Sequence, residues 1–197
     1  MVKAICTLFF VFICFGSLSA QSIDEVKGLS VGAKAPDFNA KDQNGKKVSL
    51  KEQLKKGPVV LIFYRGQWCP FCNRILKKVE DSLQLIKDKG ASVVTISPET
   101  SEAIKQTISK TNATYSIISD NGLKIMRSYD VAFKVDDNTV TKYKGYGVDF
   151  DKSNGKNGAY LPVPATYIIG KDGIVKYVYF NKDYRERSNV QDILNNL

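Results

Sequence analysis

Residues Pro58-Val-Val-Leu-Ile-Phe-Tyr64, followed by Arg65-Gly-Gln-Trp-Cys69-Pro-Phe-Cys72-Asn-Arg-Ile-Leu76, decide how this chain folds. The first run is short, almost wholly apolar and entered through Gly57-Pro58, the pattern of a strand covered on both faces. After Cys72, apolar residues fall at Ile75, Leu76, Val79, Leu83 and Ile86 with charge between them. That spacing predicts an amphipathic helix running to a stop at Lys89-Gly90, with Cys72 on its apolar face. Pro70 suits the first helical position, where a missing N–H costs nothing. Cys69 then stands at the helix N-terminus, where unpaired N–H groups and the positive end of the dipole favour a thiolate. The spacing therefore expects Cys69 to be the low-pKa, exposed thiol and Cys72 to stay protonated behind it.

Working outward, residues 2–20 carry Lys3, an apolar run from Ala4 to Phe15, and then Gly16-Ser-Leu-Ser-Ala20. This succession predicts a secretory signal over residues 1–20, cleaved after Ala20 or Ser19, leaving an exported, periplasmic or secreted domain over 21–197. The run is too short for a retained membrane anchor. Phe12-Ile13 and Phe15 around Cys14 lack the small residues of a lipid-attachment site. Cleavage would remove Cys6 and Cys14 and leave one C-x-x-C pair, Cys69 and Cys72. A disulfide closing so small a loop contributes only about 2 kcal/mol before strain, so a structural staple explains the pair poorly. Zinc is a poorer account: two thiolates and no histidine in 197 residues do not complete a tetrahedral site. Redox chemistry between the two thiols remains, with no metal and no cofactor expected.

The absence of histidine also excludes Cys–His catalysis and imidazole bases. The formal charge of +9 becomes +8 without Lys3, and the lysines are scattered among acids. A solvated basic surface is expected rather than a nucleic-acid groove.

Along the rest of the chain, Ala35–Phe38 and Lys46–Leu50 bracket a hairpin turn at Asp42–Gly45. Strands are expected at 91–96 and 114–118, helices from Pro98 onward and over Leu123–Tyr129. Residues 131–158 are polar and turn-rich, which predicts an irregular surface insertion. Leu161–Ile169 and Ile174–Phe180 form a hairpin across Gly170-Lys-Asp-Gly173, and Val190–Leu197 closes the chain as a helix. Alternating strands and helices ending in a hairpin and helix make this α/β: a thioredoxin fold, three layers around a central mixed sheet, with an insertion before the C-terminal hairpin.

Gly32-Ala-Lys-Ala-Pro-Asp-Phe38, Gly45 to Leu50 and Val60-Leu-Ile-Phe-Tyr64 resemble the start of the alkyl hydroperoxide reductase C/thiol-specific antioxidant (peroxiredoxin) family. Tyr64–Cys72, Leu161-Pro-Val-Pro-Ala-Thr166 and Asp183-Tyr-Arg-Glu-Arg187 resemble its peroxiredoxin-like branch with a C-x-x-C. The resemblance implies a peroxidatic Cys69, a resolving Cys72, and an external thiol donor such as a thioredoxin-like protein. It also implies a cis Pro164 facing the thiols. Gly66 stands where such proteins place a threonine, and Pro164-Ala-Thr166 where they place an arginine. Arg65 and Arg127 are the candidates to replace that arginine, with Trp68 as a supporting residue beside Cys69. A thiol:disulfide oxidoreductase acting on exported proteins is the competing activity, and a non-catalytic binding module the competing class.

Overall fold

The computed structural model describes residues 21–197, so the expected leader and its cleavage site lie outside the described residues. The chain begins with a small hairpin, β1 (Asn39–Lys41) against β2 (Lys47–Ser49), and a short α1 (Leu50–Leu54). Then come β3 (Val59–Phe63), α2 (Pro70–Asp81), α3 (Leu83–Asp88), β4 (Ser92–Ser97), α4 (Ser101–Thr111), β5 (Ser116–Ser119) and α5 (Lys124–Ser128). The insertion carries β6 (Ala132–Lys134), α6 (Asp137–Gly145) and α7 (Phe150–Asn154). It is followed by β7 (Tyr160–Pro162), β8 (Ala165–Ile169), β9 (Val175–Phe180) and α8 (Val190–Asn195).

The central sheet has the order β5-β4-β3-β8-β9. β5, β4 and β3 are parallel, and β8 runs antiparallel between β3 and β9, which makes the mixed sheet expected of a thioredoxin fold. Every residue of β3 is buried. Because side chains alternate across a strand, its odd and even positions enter different layers. Val59, Leu61 and Phe63 join Met126, Tyr129 and Tyr167 on one side. Val60, Ile62 and Tyr64 join Cys69, Cys72, Ile75, Leu76, Val79, Ile104 and Ile193 on the other. Burying five such side chains contributes on the order of 10 kcal/mol before entropy is subtracted. The strand is entered so tightly that a Cβ on Gly57 would lie 1.8 Å from the Gly90 carbonyl oxygen, which only glycine allows.

The register places the site. Phe63 pairs with Ile96 on one side and Ala165 on the other, and Ala165 pairs with Phe180. The chain segments that follow β3, β4 and β9 therefore all leave the sheet at the same edge. Two expectations are corrected by the fold. The long helix breaks at Ser82 (φ −109°, ψ 10°), which redirects Leu83 and Ile86 into the core as a separate helix. The insertion is not irregular: Asp136 and Asp149, read as turn residues, are N-caps, accepting from the backbone N–H of Thr139 at 2.9 Å and Lys152 at 3.0 Å. The two helices they start enclose a third apolar cluster around Val135, Phe150 and Leu161, against which Trp68 and Tyr143 pack.

Candidate functional site

Cys69 is the N-cap of α2, and its Sγ accepts the Cys72 backbone N–H at 3.4 Å. Pro70 occupies the first turn as expected, and Asn73 N–H closes on the Cys69 carbonyl at 3.1 Å. The helix start thus brings the two sulfurs together one turn apart. Both are free thiols, and both are buried: Cys69 is 1% exposed and Cys72 0%. The expected exposed Cys69 is therefore corrected. The reason is a roof from the connection after β9.

Arg187 lies in that connection. Its Nη2 stands 3.4 Å from Cys72 Sγ and 3.9 Å from Cys69 Sγ. The other terminal nitrogen, Nη1, donates to the carbonyls of Tyr184 and Glu186, the latter at 2.6 Å. Next in the chain, the buried Ser188 hydroxyl meets Thr166 Oγ1 of β8 at 2.9 Å, pinning the connection to the sheet. A guanidinium fixed in this way favours an anion shared across the two sulfurs.

The surroundings of the two sulfurs push their protons in different directions. The Cys69 thiol, hydrogen-bonded to Cys72 and next to its charge, and buried as well, is pushed up; the Cys72 N–H and Arg65 oppose this. For Cys72, burial works upward. It is outweighed by the hydrogen bond from Cys69, the Arg187 charge and hydrogen bond, and the Arg65 backbone N–H, so the thiol is held down at about 5. The capping N–H does favour a Cys69 anion, but the hydrogen bond to Cys72 and burial outweigh it. Cys72 collects the donors that leave a sulfur better off as an anion.

Arg65, one of the two arginines expected to serve the thiols, is buried in the site. Its guanidinium carbon lies 4.2 Å from the Tyr184 ring, 5.0 Å from Trp68 and 5.3 Å from Tyr143, and Nη2 donates to the Tyr143 hydroxyl. It joins the loop before Cys69 to α6 of the insertion and to the connection that carries Arg187. Its role is to hold the roof and to lend charge to Cys69 from beside it, while Arg187 makes the direct contact. Trp68 fills the space beneath, 5.3 Å from Tyr143 and 5.8 Å from Phe150. Arg127 is not part of the site. It is an exposed residue of α5, with its guanidinium over Tyr160 at 5.6 Å, and α5 packs on the layer opposite the thiols.

Pro164 immediately precedes β8 at the sheet edge beside β3, but the Val163–Pro164 bond is trans, since none of the described peptide bonds is cis. The cis expectation is therefore corrected. Pro162 pairs with Ala132, and Val163 N–H continues that ladder to the Val131 carbonyl at 2.8 Å. The β6–β7 pairing holds the residue before Pro164 extended, the conformation that the usual trans bond already favours.

Glu99 was not among the expected residues, and no motif marks it. It follows β4 at the site edge and is wholly buried. Its carboxylate accepts the Gln67 backbone N–H at 2.7 Å, the Thr107 hydroxyl at 3.2 Å and the Ser97 hydroxyl at 3.4 Å, and burial pushes its pKa up. It braces the loop that delivers Cys69. The same packing explains Gly66 in place of threonine: a Cβ there would lie 2.6 Å from Trp68 Nε1 and 3.0 Å from Glu99 Oε1. Gly66→Thr should cost about 1–3 kcal/mol of stability, read as a lower urea midpoint at unchanged slope. An unchanged midpoint would show that the loop has room to move.

Comparison with known proteins bears on the fold and the family. Residues 31–178 match the model of the AhpC/TSA family. Peroxiredoxin Q, chloroplastic, of Arabidopsis thaliana is 33% identical over 175 residues, covering 86% of this chain and 70% of that protein. The Oryza sativa subsp. japonica peroxiredoxin Q is 29% identical over 159 residues, and the chain spans 63% of its length. Among solved structures, peroxidoxin BcpB from Mycobacterium tuberculosis has a TM-score of 0.65 at 22% identity, covering 85% of this chain and 96% of that one. AhpC from Enterococcus faecalis has a TM-score of 0.61 at 17% identity, covering 84% and 89%. At these identities the structures speak for the fold, and the family match and the closer relatives for the class. The chain belongs to the AhpC/TSA family, among the peroxiredoxin-type thiol peroxidases.

Proposed function

We propose that the protein reduces peroxides with Cys72 as the attacking sulfur and Cys69 as the resolving one, the reverse of the order its sequence suggests. The observation that carries this reading is the Arg187 guanidinium, 3.4 Å from Cys72 Sγ and farther from Cys69. The Cys72 thiolate attacks one peroxide oxygen, the O–O bond breaks, and the leaving oxygen departs as water or an alcohol after taking a proton. The resulting Cys72 sulfenic acid condenses with the Cys69 thiol, releasing water and forming the disulfide. An external dithiol, oxidised in turn, returns both thiols to the reduced state. Arg187 also faces the peroxide as charge develops on its leaving oxygen.

Two buried sulfurs under Arg187 admit a small peroxide more readily than a folded protein disulfide, which favours peroxidase over the oxidoreductase alternative. A thioredoxin-like protein is the proposed donor, and export is proposed from the charged, apolar and small-residue succession of residues 3–20. Titration of the reduced protein should consume one equivalent of hydrogen peroxide and two thiols, faster than it reduces an equimolar protein disulfide. The reverse ranking would make it a disulfide oxidoreductase.

A further inference from the structure

A cavity of about 150 Å³ lies against the outer side of Arg187, between α2 and the connection after β9. Phe71 and Ile75 form its apolar floor, while Arg74, Lys78, Arg185 and Arg187 line it with positive charge; none of its lining residues is acidic. Arg185 is already held by Asp183 at 2.8 Å, and Arg187 is turned to the sulfurs. Arg74 and Lys78 make no ion pair among the described residues; Arg74 lies over the Phe71 ring at 5.6 Å. The two are four apart on α2, so they stand on the same helix face, one above the other. At roughly 30 Å³ for a water-sized group, the cavity holds about five such groups, enough for a carboxylate and a short chain.

We propose that this cavity is a subsite for small carboxylate-bearing reactants of the thiol pair. The carboxylate sits on Arg74 and Lys78, the chain lies over Phe71 and Ile75, and the reacting end reaches past Arg187 to the sulfurs. The inference rests on the thiol-peroxidase reading for its oxidative half and on the dithiol alone for its reductive half. The reactant is either an organic hydroperoxide acid, which oxidises the pair as above, or a thiol acid. A thiol acid attacks the Cys69–Cys72 disulfide as its thiolate to give a mixed disulfide, which a second thiolate resolves, releasing the small disulfide and both protein thiols.

The test compares matched pairs on the full described chain, residues 21–197. The oxidative arm measures kcat/KM for a carboxylate-bearing alkyl hydroperoxide against its methyl ester. The reductive arm measures reduction of the oxidised protein by 3-mercaptopropionate against 2-mercaptoethanol. Arg74→Gln/Lys78→Gln, at two exposed positions of a helix that tolerates glutamine, should lower the carboxylate-to-neutral ratio about three- to tenfold in one arm or both. Added salt should erode the wild-type ratio in the same direction. Lys78→Glu is the second variant and should turn preference into discrimination against the carboxylate. The arm that responds names the source of the ligand. Ratios unchanged by all these variants in both arms would overturn the subsite. Failure of the wild type to react with any peroxide would instead sink the peroxidase reading and leave the reductive arm to decide the cavity.

Discussion

Cys72→Ser should lose peroxide reduction by on the order of 10³-fold or more, because it removes the sulfur that carries the charge. Cys69→Ser should keep a single turnover. It would leave Cys72 oxidised to a sulfenic acid that no neighbouring thiol resolves, trappable by a dimedone-type reagent and visible as a mass increase. The expectation follows from how donors divide between two adjacent sulfurs. Cys72 has the closer approach of Arg187 and the Arg65 backbone N–H, and Cys69 has the Cys72 N–H as its cap. With Cys72 held at about 5, the wild-type rate should be flat above about pH 6 and fall about tenfold per unit well below pH 5, as the thiolate is protonated. Serine keeps a donor at position 69, so it is Cys69→Ala, which removes that hydrogen bond to the anion, whose profile should turn at somewhat higher pH. If Cys69→Ser is the inert variant and Cys72→Ser carries the trappable sulfenic acid, the roles revert to those of the sequence reading.

Arg187→Met should lower the peroxide rate about ten- to a hundredfold near about pH 5.5, and less at about pH 9. The sign follows from the charge. The guanidinium favours the thiolate, so without it Cys72 titrates at higher pH, and the variant recovers as pH rises while the wild type has already levelled. Any loss that persists at a pH where the ultraviolet titration shows the thiolate formed in both proteins measures what Arg187 does for the leaving oxygen. Arg187→Lys keeps the charge but not the fork of donors, and should fall between them. The measurement is a pH profile of the single-turnover rate, read beside a titration of the thiolate by its ultraviolet absorbance. An equal loss at every pH, with the thiolate titrating as in the wild type, would reduce Arg187 to a strut of the roof.

The residue pair, the strand and the helix that present it are local matters, and local chemistry settles them. An apolar run at Val59–Phe63 has to be covered on both faces, and its two-residue period sorts the core into two layers without any knowledge of partners. Pro70 and the spacing of Ile75, Leu76 and Val79 start a helix whose apolar side faces that strand, so Cys69 and Cys72 meet wherever the rest of the chain goes. Asp136 and Asp149 suit turns and N-caps equally well, so the polar pattern of the insertion does not distinguish a loop from two helix starts. The helices bury apolar side chains of their own segment together with Trp68 from a distant one, and that shared cluster is not visible in the local pattern.

What the thiols do was decided by segments far away in sequence. Arg187 is 115 residues from Cys72 and reaches it because β9 runs parallel to β3, so the chain leaves both strands at one edge. The Gly170–Gly173 turn announces that hairpin, but a charged connection after a strand has no local sign of which side chain will bend inward. The hydrogen bond from Val163 N–H to the Val131 carbonyl, 32 residues earlier, is likewise a long-range contact that no local pattern announces. Local spacing determined where two sulfurs would stand. Long-range packing placed a single guanidinium and buried both thiols beneath it, and because a sulfur's proton is held or lost by its nearest charges and donors, that placement favours an anion on the pair, with the closer approach at Cys72.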